Sequence, residues 1–141
     1  GVVPMPPSGR ASIVHVHDLA RLLLALVPGG ESVSGAILEP DDGREGGWSH
    51  RDLAKAIGRA VGRAVWAPAT PKPLMKAASW LDCRVRGNSA KLTPDRVGYM
   101  CHTDWVSRPG KAPPSSLWHA EIETPEGLAE TARWYRANGW L

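Results

Sequence analysis

Ser12-Ile13-Val14-His15-Val16-His17-Asp18-Leu19-Ala20 sets the class of the fold. The β-branched run 12–16 predicts a strand. After His17-Asp18, residues Leu19, Leu22, Leu23, Leu26 and Val27 recur at helical spacing, so a helix follows. Asp18 is placed to cap that helix, its carboxylate accepting from the free amides of the first turn. Pro28-Gly29-Gly30 predicts its end. A strand, a tight turn and a helix in succession point to an α/β protein.

Outward from this unit, Gly35-Ala36-Ile37-Leu38-Glu39 predicts a second strand and the polar stretch 40–47 an exposed, mobile turn. Ser49 is an N-cap with Asp52 at the reciprocal position, and Leu53, Ala54, Ile57, Ala60 and Val61 form one apolar stripe that ends near Gly62. Residues 65–68 read as extended. Pro71 and Pro73 suit a helix start, Leu74, Ala77, Ala78, Leu81 and Val85 keep the helical period, and Gly87-Asn88 closes it. Thr93-Pro94-Asp95 and Thr124-Pro125-Glu126 each combine a cap, a proline at the first helical position and an acid in the first turn. The second of these opens a helix through Asn138, with Gly139 as the left-handed stop and Trp140 folding back. Asp104-Trp105-Val106 is a brief strand, and residues 108–116 are loop. The opening residues, 1–9, read as the middle of a loop.

The chain of 141 residues has the length of one domain. Its apolar fraction of 43% and charged fraction of 22% exclude general disorder, while 15 Gly and 13 Pro demand many loops. There is no Phe, so seven Trp supply the large aromatic volume, and Trp105, Trp118, Trp134 and Trp140 are expected in packing. The net charge of +3 is spread along the chain without a basic block, which argues against nucleic-acid binding. A nucleic-acid module would need Arg59, Arg63, Arg84, Arg86 and Arg96 to gather on one face. The apolar run 19–27 is too short to cross a membrane, and a cytoplasmic location is expected. Cys83 and Cys101 lack metal-ligand spacing, as do His102, Asp104 and His119, so no metal site is expected. His15 and His17 read as packed and turn residues.

Three stretches in order, Gly9-Arg10-Ala11-Ser12-Ile13-Val14-His15-Val16-His17-Asp18-Leu19-Ala20, Trp48-Ser49-His50-Arg51-Asp52-Leu53-Ala54 and Gly127-Leu128-Ala129-Glu130-Thr131-Ala132-Arg133-Trp134-Tyr135, together resemble the NAD(P)-dependent epimerase/dehydratase family of extended short-chain dehydrogenases/reductases. The resemblance implies an α/β fold that is the C-terminal, substrate-side part of such an enzyme. It would contain a few strands and about five helices and lack the N-terminal Rossmann βαβ units. Residues 1–30 would be a late Rossmann strand and helix, and residues 31–141 a small substrate-binding subdomain with the closing helix.

The cofactor and catalytic motifs that go with this resemblance do not occur in the sequence. No Gly-rich dinucleotide turn occurs, and Tyr99 and Tyr135 are followed four places later by Thr103 and Gly139, not by the Lys that lowers the phenol's pKa. By this reading NAD or NADP belongs to a complete enzyme and is not bound by this chain alone. No catalytic residue is assigned. The expected partners are a small-molecule substrate and the missing Rossmann half or a partner chain, with a homodimer among the possible assemblies. Arg10, Ser12, Arg84 and Arg86 are the candidates for substrate contact. Arg10 lies where such enzymes often hold a phosphate or carboxylate, and Arg84-Val85-Arg86-Gly87-Asn88 sits near an Arg-x-Gly-Asp of sugar-nucleotide epimerases, with Asn88 in place of the acid. The alternatives are a solvated cation at Arg10 and helix-end cations at Arg84 and Arg86. A rival reading of the whole is a non-catalytic interaction protein that retained the scaffold.

Overall fold

The computed structural model describes residues 1–141. It is mixed α/β, with five α-helices and one three-stranded sheet. In chain order these are β1 (Arg10–Ala11), α1 (Val16–Gly29), β2 (Trp48–Ser49), α2 (His50–Ala60), α3 (Lys72–Arg86), α4 (Pro94–Met100), β3 (Asp104–Trp105) and α5 (Thr124–Ala137). β1 is central, antiparallel to β2 with Arg10 opposite Ser49, and parallel to β3 with Arg10 opposite Asp104. α2 packs on α5, and α3 on α4.

α2, α4 and the end of α5 follow their start and stop signals. The Ser49 hydroxyl accepts from the Asp52 amide at 3.1 Å and donates to the Asp52 carboxylate at 2.8 Å, so the amide and the side chain of one residue fix the cap. The Thr93 hydroxyl caps α4 by accepting from the Arg96 amide. α5 ends in a Schellman turn: Gly139 has φ +72°, the Trp140 amide donates to the Tyr135 carbonyl, and the Trp140 ring packs against Trp134 and Tyr135.

The strand expected over 12–16 is shorter and earlier. Only Arg10 and Ala11 have ladder partners on both sides, because β2 and β3 are each two residues long. Beyond them the Ser12 amide still donates to the Trp105 carbonyl at 3.0 Å and the Ile13 carbonyl accepts from the Asp42 amide at 2.7 Å, but the helix has already begun at Val16. Asp18 is therefore inside α1 and is not its cap. His15 is the cap, its Nδ1 accepting from the His17 amide at 3.3 Å.

The strand expected at 35–39 forms no ladder. The Glu39 amide donates to the Lys111 carbonyl, and the Glu39 carboxylate binds the Arg108 guanidinium and Lys111. At the N-terminus, where a loop was expected, the backbone runs parallel to residues 65–70, with Val3 N to Trp66 O at 3.0 Å and Met5 N to Pro68 O at 3.1 Å. α5 starts at Thr124, inside the helix instead of at its cap; Glu123 takes the cap position, and the Thr124 hydroxyl donates to Asp42.

The core is thin. Leu22, Trp48, Ala54, Ala132 and Trp118 are buried, with Met75 and Val97 the most enclosed side chains of the α3–α4 pair. Gly58 lets the chain return close to α2: a Cβ there would lie 2.7 Å from the Arg63 carbonyl oxygen and 2.5 Å from Val65. No helix is long and apolar enough to cross a membrane.

Candidate functional site

The polar chemistry gathers at the end of the sheet, where the chain from 40 to 47 folds back over β1. Asp42 is the hub. Its Oδ2 accepts from the Trp48 indole at 2.7 Å and from the Thr124 hydroxyl at 2.5 Å, tying the turn to β2 and to the start of α5. Asp41 accepts from the Gly43 amide at 2.9 Å and from the Ser12 hydroxyl at 3.0 Å. The turn expected to be exposed is so only over 43–46, since Asp41 and Asp42 are half-buried. Both were legible as an Asx turn signal, Asp-Asp-Gly, but their long-range partners were not.

Arg10 and Ser12 belong to this network. The Arg10 guanidinium donates to the carbonyls of Gly46 and Gly47, the latter at 2.8 Å, and the Ser12 hydroxyl also accepts from the Ser107 amide at 3.1 Å. Their polar atoms thus hold the chain's own loops. Arg84 and Arg86 lie elsewhere, at the end of α3. Arg86 pairs with Asp82 at 3.2 Å and Arg84 stands over the Trp80 ring, its guanidinium carbon 6.0 Å from the centroid. The four candidates therefore form two separate pairs. Arg96 donates to the Lys91 carbonyl, and Arg59 and Arg63 sit at the far end of α2, so the arginines are distributed over three helices' ends.

Beside β2, a cleft of about 350 Å³ lies between residues 5–9 and the first turn of α2. His50 forms one wall. Its Nδ1 is buried without a hydrogen-bond partner, and its ring approaches Gly9 so closely that a Cβ there would stand 2.4 Å from Cε1. The cleft has no acid–base pair comparable to a tyrosine beside a lysine: neither tyrosine lines it. No group of three His, Cys, Asp or Glu converges on a point where a metal ion would sit.

The adjacent glycines 46 and 47 do not form a dinucleotide cradle. Gly46 and Gly47 precede β2 and α2 with φ +65° and +62°, where a phosphate-binding turn would need an open face. A Cβ on Gly47 would meet the Ala11 carbonyl oxygen at 2.8 Å, and one on Gly46 the Arg10 guanidinium at 3.5 Å. Their close approaches are to β1, not to a space a pyrophosphate would fill.

A different anchor, missed in the sequence, holds the chain after Trp118. Asp18 is fully buried; its carboxylate accepts from Arg21 at 2.5 Å and from the amides of Glu121 and Ile122 at 3.1 and 3.0 Å, while its carbonyl accepts from the Trp118 indole at 2.8 Å. Burial pushes its pKa up, but Arg21 and the two amides outweigh that and leave it below the usual value. Arg21 also binds Glu121.

No family model matches the chain, and no solved structure matches it. It is similar to a ceramide reductase of Caulobacter vibrioides, with 27% identity over 140 residues. The likeness is to a reductase. It covers 95% of this chain but 42% of that protein, so the chain spans less than half the length of the relative it matches.

Proposed function

We propose that this chain is the substrate-side portion of an NAD(P)-dependent reductase of the extended short-chain dehydrogenase type, one that acts on a ceramide-like keto lipid. The observation that carries this reading is the similarity to the ceramide reductase over nearly the whole chain. The spent glycines at 46–47 and the missing Tyr/Lys pair agree with it, because they leave cofactor binding and proton transfer to residues outside these 141. In the complete enzyme the dinucleotide supplies the hydride. This chain's part is to hold the substrate, to exclude water from it and to close over it.

The large exposed surface also supports a role beside another body. A folded monomer of 15.2 kDa is expected to expose about 7,100 Å². This chain exposes 9586 Å², with Leu24, Val27, Trp80 and Val85 among its most open apolar side chains.

The test is a chimera in which this chain replaces the aligned segment of the Caulobacter enzyme. Reduction of a long-chain keto lipid with NADH or NADPH is followed at the nicotinamide absorbance. Retained turnover is the expected result. A chimera that folds and binds the dinucleotide yet reduces no keto lipid would contradict the reading.

A further inference from the structure

α3 carries Leu74, Ala77, Ala78 and Leu81 on one stripe, because these positions fall at the i, i+3, i+4 and i+7 spacing of a single helix face. Two alanines between two leucines leave a trough. Val3, Pro4, Leu92 and Met100 also line it, together with Met75, which is 2% exposed. The cavity measures about 700 Å³, within the range of small-molecule sites. The chain does not fill it: Leu74 and Leu81 stay 61% and 56% exposed.

Its polar groups are few. The Thr70 hydroxyl donates to the Pro68 carbonyl at 3.2 Å, and Lys91 is the one charged residue that lines the cavity. The Lys91 backbone is held in place. Asp82 accepts from the amides of both Lys91 and Leu92 at 2.8 Å, pinning this segment against the end of α3. The result is an apolar trough with a cation at its edge.

The apolar lining and the volume suit the acyl chain of an amphiphile. The lone ammonium complements a head group made of oxygen acceptors and repels a cationic one.

We propose that this cavity binds the acyl chain of a long-chain lipid, with the oxygen-bearing head group at Lys91. The proposal rests on the reductase reading in taking this lipid as the substrate. It deepens that reading by placing the substrate's tail on α3, away from the Arg10 and Ser12 network.

The test is fluorescence titration of the chain with cis-parinarate, without any dinucleotide, and displacement by saturated fatty acids of increasing length. Saturable binding is expected, tightening about two- to fourfold per added methylene until the trough is filled. An alkyltrimethylammonium of the same length should bind at least tenfold more weakly. Ala78→Trp, which fills the trough, should abolish binding. Lys91→Glu, at an exposed side chain that leaves the fold intact, should weaken the carboxylate at least tenfold and remove the preference over the cationic amphiphile. Leu24→Gln, on the exposed face of α1, should change nothing. No saturable binding, binding indifferent to head-group charge in both the native chain and Lys91→Glu, or equal loss in Leu24→Gln would overturn the proposal. Because the dinucleotide is absent, failure here with an active chimera removes the site alone. Binding here with an inactive chimera removes the reductase reading and leaves the lipid site.

Discussion

Asp18 carries more of the tertiary structure than its place in the sequence announces. As the third residue of α1 it was legible as an acid near a helix N-terminus, and the expected cap is one of the two roles such a residue takes. What decides its actual role lies a hundred residues away: the amides of Glu121 and Ile122 and the Trp118 indole converge on it. Asp18→Asn removes the charge that Arg21 and the two amides share, and should cost about 3 kcal/mol, read as a shift of the urea midpoint. Since the folded pKa of Asp18 lies below its ordinary 3.8, its contribution is fully present above that pH and is lost as the pH falls through the lower folded value. Acid unfolding of Asp18→Asn should accordingly be less steep below pH 4 than that of the native chain. An unchanged acid limb would show that other carboxylates, such as Glu39, held near pKa 2 by Arg108, dominate it.

At the scale of elements, the helices and the brief strand at 104–106 were readable, and the strands expected over 12–16 and 35–39 were not. Helix signals are local: Ser49 with Asp52, Thr93 with Pro94, and Gly139 with Trp140 each act within one turn, so the sequence contains both partners. A strand exists only where another backbone lies beside it. Ile13, Val14 and Val16 have strand-forming side chains but no two-sided ladder, and the 35–39 stretch has a single bond to Lys111. The pairing of Val3 and Met5 with 66–70 was invisible for the same reason. Local capping can be measured directly: Ser49→Ala should destabilise the chain by about 1 kcal/mol, and a double variant with Asp52→Ala should add little, because both act on the same cap. Strict additivity of the two losses in thermal melts would separate them.

The whole molecule is open for its mass, and that openness is apolar. α1 turns Leu23, Leu24 and Val27 outward, and α3 turns Trp80 and Val85 outward, although both helices have the amphipathic spacing of core elements. Seventeen of 141 residues are buried, too few to set against the chain entropy of an independent domain with a wide margin. The isolated chain should bind anilinonaphthalene sulfonate while keeping its helical circular dichroism, and should self-associate in sedimentation as concentration rises. A dye-silent monomer melting above about 65 °C would mean these faces are closed in solution. The proposed division between a substrate side here and a cofactor side elsewhere rests on two sequence features, the missing Gly-rich turn and the missing Tyr/Lys pair. The cavity proposed for a lipid tail was not legible in the sequence, because Val3, Leu92 and the face of α3 come together only in three dimensions.

We propose that these 141 residues hold the substrate and not the dinucleotide. Calorimetric titration of the folded chain with NADH and with NADPH tests it most directly. No saturable heat is expected from either. Saturable micromolar binding of one of them would contradict it, because the chain would then build a pyrophosphate site from residues that here close on β1.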